Sequence, residues 1–475
     1  MTSPINSDQA SQALQGVDLS SGNVLLSGWT LSTISLYVPD LLLYGALLPA
    51  LGLQPVSIHM VNALMYAIVV IAAVVLARGT SSGRRAVAGL ITAVLLIAPQ
   101  LGLGVNLLLV GGSHVGVALL ALLALVVVDR SHGGYFGLFL ISLIVTAAVF
   151  SNGLAYVILV GPLVVVCGWR LVRRQLGFKY DAGLLAATAI AVLLTRAIGF
   201  FVARYHGYRI YPLAPTLAQL GDVPKYLGSA VAGLLALFGA SPGGGAFDYV
   251  AEVAHAVGLT FAVAAACYVA WRWIRGRESD RVTELLLVSM AIDLVAFLFI
   301  AHGDTNRYLI PLFIFAAVLA GRAGAGFVAR HGVPLPAAAV AAVYCILLLA
   351  SLVAPAAPTN QPWETWLLDQ HLYSGLGSYW QASVATVDTG GRVRIRPILS
   401  DGIGANGYAW ESKASWYTTR QLGDARFVVY DVNDRQFGID RSNMESVFGL
   451  PSETMIFGSV EVLVWDKNLG PLLRH

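Results

Sequence analysis

Two aspartates near the start of the chain, Asp8 and Asp40, have the side chains best suited to acid–base chemistry. They lie in a polar segment, residues 7–40, that carries a third acid, Asp18, and contains no lysine or arginine. A carboxylate held next to a hydroxyl group can accept its proton and act as a general base. Asp8 is the first candidate for that role and Asp40 the second. The alternative for both is a capping position at a helix end.

Side chains that could hold a phosphate occur at the starts of two later apolar segments. Arg307 and Tyr308 open the run RYLIP, and an arginine can bind a phosphate through two parallel hydrogen bonds. Asp304 is the expected partner of that arginine, which could instead extend to lipid headgroups. His114, in the run GGSHVG, could contact a lipid phosphate or a sugar. Its alternative is an ordinary polar position at the end of a helix.

Aromatic side chains that could stack on a sugar ring lie in the first segment and in the run YHGYRIY, residues 205–211. We predict a substrate-binding role for Trp29, Tyr205 and Tyr208. For the run 205–211, anchoring at a membrane interface is the alternative.

The composition of the chain indicates that these residues belong to an integral membrane protein. Only 12% of the 475 residues are charged, against about 25% in soluble domains, and the mean hydropathy is +0.73. The net charge of +3 gives no indication of a nucleic-acid partner. The three cysteines all lie in apolar segments, so their spacing predicts neither a disulfide framework nor a metal cluster.

Apolar runs predict about ten transmembrane helices, since a spanning helix needs about 20 mainly apolar residues. The predicted spans are 57–78, 86–104, 112–128, 136–150, 153–169, 183–204, 251–272, 283–301, 307–328 and 335–354. The shorter stretch 228–240 is expected to lie at the membrane interface, with an eleventh span as the alternative.

The basic residues predict the orientation, because they concentrate in alternate loops and such loops face the cytoplasm. Residues 1–56 are then an extracytoplasmic acidic loop with an amphipathic helix, and residues 57–354 form the transmembrane domain. The turns near 105–114, 151–152 and 302–306 lie on the same outer side. We therefore expect these turns to gather around Asp8 and Asp40.

Residues 355–475 are richer in charge and are predicted to form a small extracytoplasmic α/β domain. Period-two alternation predicts strands at 392–399, 425–431 and 459–466, and helices are expected near 363–373 and 441–449. The fold class is thus a mainly α, polytopic membrane protein with a C-terminal α/β domain. This domain holds six of the ten tryptophans, and its runs GLGSYWQASV (375–384) and AWESKASWY (409–417) resemble stretches of bacterial relatives.

Three short motifs together resemble the GT-C superfamily of polytopic glycosyltransferases, in particular the protein O-mannosyltransferase and lipid A aminoarabinose transferase group. They are SDQASQALQ (7–15), VPDLLLYGALL (38–48) and RYLIP (307–311). The resemblance implies that Asp8 takes the position of the catalytic acid, with Asp40 as a second acid nearby. It also implies a first transmembrane helix before Asp8, which we expect to be missing through truncation or a misassigned start codon.

The resemblance implies a reaction and a set of partners. A sugar would move from a polyprenyl-phosphate donor to a glycan, lipid or protein acceptor at the outer face of a bacterial inner membrane, in the cell envelope. Asp8 would be the base, and Asp40 would position the acceptor or a divalent cation (Mg or Mn). Arg307, His114 and Tyr308 would hold the lipid phosphate. The Asp-Pro element of related outer turns reads Ser-Asn-Gly here, at residues 151–153.

Two other classes of protein remain open. A transporter or flippase would need polar residues along a path through the membrane. Only Arg196 and Asp293 are charged at such depth, and we predict that they form a structural pair, with a proton relay as the alternative. The third class is a non-catalytic membrane scaffold that displays the C-terminal domain.

Overall fold

The structure is a computed structural model of the chain. It describes residues 4–98, 107–109, 114–131, 133–175, 177–213, 216–241, 246–276, 280–301, 306–332 and 361–474. The predicted span at 335–354 and the predicted partner of Arg307, Asp304, lie outside the described residues.

The chain is mainly helical, as its composition predicts. The helices are Ser7–Ser20 (α1), Leu42–Leu51 (α2), Pro55–Arg78 (α3), Gly83–Ile97 (α4), Val115–Arg130 (α5), Tyr135–Ser151 (α6), Gly161–Val172 (α7), Phe178–Arg204 (α8), Val223–Leu237 (α9), Ala246–Ile274 (α10), Arg281–Phe299 (α11), Ile310–His331 (α12), Pro362–Asp369 (α13), Tyr379–Asp388 (α14), Thr419–Leu422 (α15) and Arg441–Phe448 (α16). Turns with π-helical hydrogen bonding, Tyr37–Leu41 and Tyr156–Val160, lead into α2 and α7.

Short strands are scattered among the first twelve helices, and longer ones fill the C-terminal region. The strands are Trp29–Leu31 (β1), Arg209–Ile210 (β2), Thr216–Leu217 (β3), Ile300–Ala301 (β4), Ser374–Gly377 (β5), Arg394–Ser400 (β6), Ala405–Gly407 (β7), Ser412–Lys413 (β8), Phe427–Asp431 (β9), Glu453–Phe457 (β10) and Val460–Val464 (β11).

In the described part of the chain, five helices are long and apolar enough to cross a membrane. They are Pro55–Arg78, Phe178–Arg204, Glu252–Ile274, Arg281–Phe299 and Asn306–His331. Four other predicted spans appear as the shorter helices α4 to α7, of 15, 16, 17 and 12 residues. At 1.5 Å per residue such helices fall short of the hydrocarbon thickness of about 30 Å. The predicted count of about ten spans is therefore not confirmed.

Helix α12 runs through the middle of the helical bundle. Every side chain from Ile310 to Gly321 is buried, including Phe313 and Phe315. The helix follows a 3-10 turn, Asn306–Leu309, that carries Arg307. The packing of this helix therefore fixes Arg307 near the centre of one end of the bundle.

The C-terminal region folds around a six-stranded mixed sheet in the order β10-β11-β9-β5-β6-β7. Strand β5 pairs in parallel with both β6 and β9, and β11 pairs antiparallel with β9 and β10. The strands predicted at 392–399, 425–431 and 459–466 are present as β6, β9 and β11. Apolar clusters cover both faces of the sheet, one including Tyr379 and Trp465, the other Trp363 and Phe427. The sheet predicted from the sequence is thus confirmed.

The N-terminal helix α1 lies between the helical bundle and the C-terminal sheet domain. Gly16 permits a close crossing with α2, because a Cβ at that position would lie 2.5 Å from the Cβ of Tyr44. On the other side, the hydroxyl of Ser11 bonds that of Ser383 on α14 at 2.9 Å. Strand β1 pairs antiparallel with β8 of the C-terminal region and in parallel with β2. These contacts join the first thirty residues to both larger parts of the molecule.

Candidate active site

The first turn of α1 brings Asp8 to the start of α12. Asn6 caps α1 by accepting from the backbone N–H of Gln9, whose side chain accepts from the backbone N–H of Asn6. This capping box starts the helix at Ser7, so Asp8 lies in the first turn and is not the cap. Its Oδ2 lies 3.4 Å from Nη1 of Arg307. The predicted base and the predicted phosphate ligand are thus neighbours.

A tyrosine from the C-terminal domain completes the surroundings of Asp8. The hydroxyl of Tyr379 lies 2.7 Å from Oδ1 of Asp8 and 2.9 Å from Oε2 of Glu411. The side chain of Asp8 keeps 17% of its surface exposed and that of Arg307 keeps 37%, whereas Tyr379 and Glu411 are buried. The arrangement is a carboxylate open to solvent on one side and supported by a buried pair on the other.

Glu411 occupies an unusual position for a carboxyl group. Its backbone is left-handed, with φ of 47°, and its side chain is 2% exposed. Burial, and next the charge of Asp8, raise the pKa of Glu411 well above its ordinary value. Burial, and next the charges of Glu411 and Asp8, also raise the pKa of Tyr379. Burial therefore favours the protonated form of both side chains.

His114 lies under the ring of Tyr308 beside the same cluster. It is the residue before α5, with a left-handed backbone at φ of 59°. The amide Nδ2 of Asn152 lies 2.8 Å from its Nδ1, and the centroids of the His114 and Tyr308 rings are 4.6 Å apart. Because the amide donates to Nδ1, the ring carries its proton on Nε2. With Nδ1 accepting from Asn152, the ring is a neutral donor through Nε2.

Asp40 is buried away from solvent in the π-helical turn before α2. Its side chain is 4% exposed, and a Cβ at Gly116 of α5 would overlap its carboxyl group. Burial raises the pKa of Asp40 to about 7. Among the described residues, Asp40 and Asp8 share no hydrogen-bond partner. The structure therefore places Asp40 between helices, as a packed side chain whose charged form is disfavoured by burial. Its predicted catalytic role stays a prediction that this placement does not support.

Trp29 packs the contact between the N-terminal segment and the C-terminal domain. Its side chain is 2% exposed, and its ring meets that of Trp416 edge to face at 4.9 Å. Its Nε1 donates to Oδ2 of Asp18 at 2.7 Å, and the same carboxylate pairs with Lys413 at 2.9 Å. The predicted contact of Trp29 with a sugar would need this ring to be exposed, so the placement gives it no support.

The run at 205–211 lies beside a cavity of about 460 Å³ that opens between α6, α8 and the N-terminal segment. Tyr208 lines the cavity, whereas Tyr205 is exposed and packs on Phe201 at 4.3 Å. Other polar side chains that line it are Thr33, Ser35, Ser151, Asn152, Thr195 and Arg196. Asn152 thus has one side toward the cavity and its amide on His114, so the cavity adjoins the Asp8 cluster.

Arg196 and Asp293 do not form the ion pair that the sequence predicts. Arg196 is exposed and lines the cavity. Asp293, on α11, is buried and accepts a hydrogen bond from the backbone of Leu312. Arg196 thus faces the cavity and Asp293 faces α12, and no ion pair joins them among the described residues.

The described residues do not fit a divalent cation. No group of three or more histidine, cysteine, aspartate or glutamate side chains gathers in that part of the chain. At Asp8, one oxygen faces Arg307 and the other accepts from Tyr379. A cation on this carboxylate would have to lie beside the positive charge of Arg307. The Mg or Mn ion expected from the resemblance stays a prediction.

Two members of the cluster, Tyr379 and Glu411, were not predicted as site residues from the sequence. They lie in the stretches GLGSYWQASV and AWESKASWY. The position of Glu411, an acid within an aromatic run, indicates a carboxyl group near an apolar core. Its proximity to Asp8 could not be predicted, because neither periodicity nor spacing connects positions so far apart in the chain.

Comparison with known proteins finds only distant structural similarity. No protein-family model matches the chain, and no curated protein matches it. The solved structures that it resembles include the oligosaccharyltransferase of Archaeoglobus fulgidus in complex with zinc and sulfate, with a TM-score of 0.46 and 14% identity. They also include the archaeal oligosaccharyltransferase AglB from the same organism, in complex with an inhibitory peptide and a dolichol-phosphate, with a TM-score of 0.44 and 12% identity. Both matches cover 90% of this chain, which spans 64% and 66% of theirs.

Proposed function

We propose that the protein is a membrane glycosyltransferase that moves a sugar from a polyprenyl-phosphate donor to an acceptor hydroxyl group. The observation that carries the proposal is the contact between Asp8 and Arg307, 3.4 Å apart at one end of a bundle of apolar helices. A proton acceptor and a phosphate-binding cation are the two groups that this transfer needs side by side. Both keep part of their surface open to a ligand.

Four side chains at this end of the bundle have a role in the proposed reaction: Asp8, Arg307, His114 and Tyr308. The acceptor oxygen loses its proton to Asp8 and forms a bond to the anomeric carbon of the sugar. The bond between that carbon and the phosphate oxygen breaks, and its electron pair leaves with the lipid phosphate. Arg307 offsets the added negative charge, and His114 and Tyr308 supply neutral hydrogen-bond donors beside it.

The cavity beside Asn152 offers room for the lipid end of the donor. It lies next to the exposed apolar side chains of α8, including Phe200, and it holds a cation, Arg196. We infer that the first isoprene units and the phosphate approach the cluster along this side. Tyr208 lies at the same opening and Tyr205 nearby, where they would contact the sugar or the lipid.

The proposal includes a location and an arrangement in the membrane. We place the site at the outer face of a bacterial inner membrane, with residues 1–56 and 355–475 on that side, and the distribution of basic residues supports this orientation. In this arrangement the C-terminal domain covers the site and faces the glycan, lipid or protein acceptor. The net charge of +3 is too small to support a nucleic-acid partner.

The test uses the full chain in proteoliposomes with a panel of radiolabelled polyprenyl-phosphate sugars. We expect the sugar to leave its lipid, to water or to an added glycan, and Asp8→Asn to abolish this release. Asp369→Asn, at an exposed position of α13, serves as the control and should leave the release unchanged. Intact labelled lipid that crosses the bilayer without losing its sugar would instead identify a flippase. A protein that does neither would be a scaffold.

A further inference from the structure

We propose that Tyr379 and Glu411 form a fixed hydrogen-bond relay to Asp8, in which a protonated Glu411 donates to Tyr379 and Tyr379 donates to Asp8. This inference rests on the proposed function, because it assigns the C-terminal domain a direct part in the work of the base. One set of outcomes of the experiment below contradicts the relay alone, and a different outcome contradicts the proposed function.

The relay follows from counting protons around one oxygen. The hydroxyl of Tyr379 lies within hydrogen-bond distance of two carboxyl groups, at 2.7 Å from Asp8 and 2.9 Å from Glu411. A phenol has one proton to donate, and its oxygen can also accept. If it donates to one carboxyl group, the other must carry a proton and donate to the phenol oxygen. One of the two acids is therefore neutral.

The surroundings decide which acid carries that proton. Asp8 contacts the cation Arg307 and keeps part of its surface in solvent, and both features favour the carboxylate. Glu411 is 2% exposed and has no cation in contact with it among the described residues, and burial disfavours its charged form. The proton is therefore on Glu411, and the only phenol proton points at Oδ1 of Asp8.

The relay has a consequence for the base. With Oδ1 held by Tyr379, the carboxylate plane is fixed, and the second oxygen is directed toward Arg307 and the open side. The acceptor proton goes to Asp8, whereas Tyr379 and Glu411 keep their own protons throughout. The two residues are thus positioning residues, and their ionisation would end the relay. The charged, titratable and hydroxyl groups that face Glu411 are Asp8, Arg307, Tyr379, Tyr408 and Ser32.

The experiment measures the release of sugar from a labelled polyprenyl-phosphate sugar in proteoliposomes by Tyr379→Phe, Glu411→Gln and Glu411→Leu. Tyr379→Phe should lower kcat about 10- to 100-fold, the loss that corresponds to one hydrogen bond to a charged group, with KM little changed. Glu411→Leu should do the same. Glu411→Gln retains a neutral hydrogen-bond donor and should keep kcat within about threefold of the wild type. If Glu411 is already protonated, this substitution changes no charge at the site.

The dependence of sugar release on pH distinguishes the relay from a purely structural role of Glu411, which would leave that dependence unchanged. Because the pKa of Glu411 is raised, the wild type should lose activity as the pH rises through that raised value, and Glu411→Gln should lack this alkaline limb. Tyr430→Phe is the matched control, since the hydroxyl of Tyr430 pairs with Glu461 in the same domain, across strands β9 and β11. It should leave kcat and the profile unchanged.

The outcomes separate the two claims. A normal kcat in Tyr379→Phe, together with an inactive Asp8→Asn, would overturn the relay and leave the proposed function standing. Equal losses in Glu411→Gln and Glu411→Leu, with both variants folded by their melting temperatures, would show that Glu411 acts as an anion and would also overturn the relay. A wild type and Asp8→Asn that behave alike would contradict the proposed function itself.

Discussion

The hydroxyl of Tyr379 lies 2.7 Å from Oδ1 of Asp8, although the two residues are 371 positions apart in the chain. Strand pairing between Trp29 and Lys413 joins the same two regions a short distance away. The two ends of the chain therefore build one site, and the intervening helices supply Arg307 beneath it. Changes at the contact between the ends should affect both the stability and the activity of the protein.

The ion pair between Asp18 and Lys413 tests this contact. Burial alone would raise the pKa of Asp18, but hydrogen bonds from Lys413, Trp29 and Asn23 outweigh it and lower that pKa. A lowered pKa gives stability that is present above the ordinary value and is lost on acidification. Lys413→Met should lower the free energy of unfolding by about 1 kcal/mol at neutral pH. It should also make the decrease in stability on acidification smaller than in the wild type. Thermal melts across the acidic range would show it, and parallel curves for both proteins would contradict it.

A pair of buried acids in the C-terminal domain should make the protein less stable at high pH. Burial, and next the charge of Asp388, raise the pKa of Glu364, and burial raises that of Asp388. A raised pKa gives stability that is present at low pH and is lost as the pH rises above the ordinary carboxyl range.

Glu364→Gln should therefore raise the melting temperature at pH values above neutrality and leave it nearly unchanged in acid. The exposed Glu453→Gln is the control and should shift neither. A lower melting temperature for Glu364→Gln across the whole pH range would show that the carboxylate itself stabilises the domain.

The contact between Asp40 and Gly116 should appear as a coupling between two substitutions. A Cβ at Gly116 would overlap the Asp40 carboxyl group, so Gly116→Ala should cost about 1–3 kcal/mol by overpacking. Asp40→Ser shortens the side chain and should restore part of that loss in the double variant. Chemical denaturation of the four proteins measures the coupling. Additive losses would mean that the two side chains do not meet.

Parts of this architecture could be predicted from the sequence because they follow from local patterns. Alternation located β6, β9 and β11, and the loop topology placed Asp8 and Arg307 at the same end of the bundle. The number of spans could not be predicted, because composition reveals an apolar run but not how much of it a helix takes up, as in the short helices Gly83–Ile97 and Val115–Arg130.

The individual contacts of the site could not be predicted for a different reason. Trp29 was expected to contact a sugar, yet an indole next to an acid such as Asp18 is equally suited to a buried hydrogen bond. The contact of Tyr379 with Asp8 depends on how two distant regions dock, and no residue period encodes that. Residue type identified the candidates, whereas tertiary packing decided which of them meet.

Arg307 should act on donor binding more than on chemistry. Arg307→Gln removes a charge-assisted contact to the phosphate and leaves the base in place. We expect KM for the polyprenyl-phosphate sugar to rise about 10- to 100-fold, with a smaller effect on kcat. Arg330→Gln, exposed at the far end of α12, is the control and should leave KM unchanged. An unchanged KM in Arg307→Gln would contradict the assignment of Arg307 as a ligand of the donor phosphate.

The most direct test is the single-turnover rate at which a bound polyprenyl-phosphate sugar loses its sugar, measured in the wild type and in Asp8→Asn. Asparagine keeps the size and polarity of the side chain and removes the proton acceptor. If Asp8 is the base, the rate in Asp8→Asn falls at least about 100-fold while donor affinity and melting temperature stay close to those of the wild type. Equal rates in the two proteins would contradict the assignment of Asp8 and, with it, the active site described above.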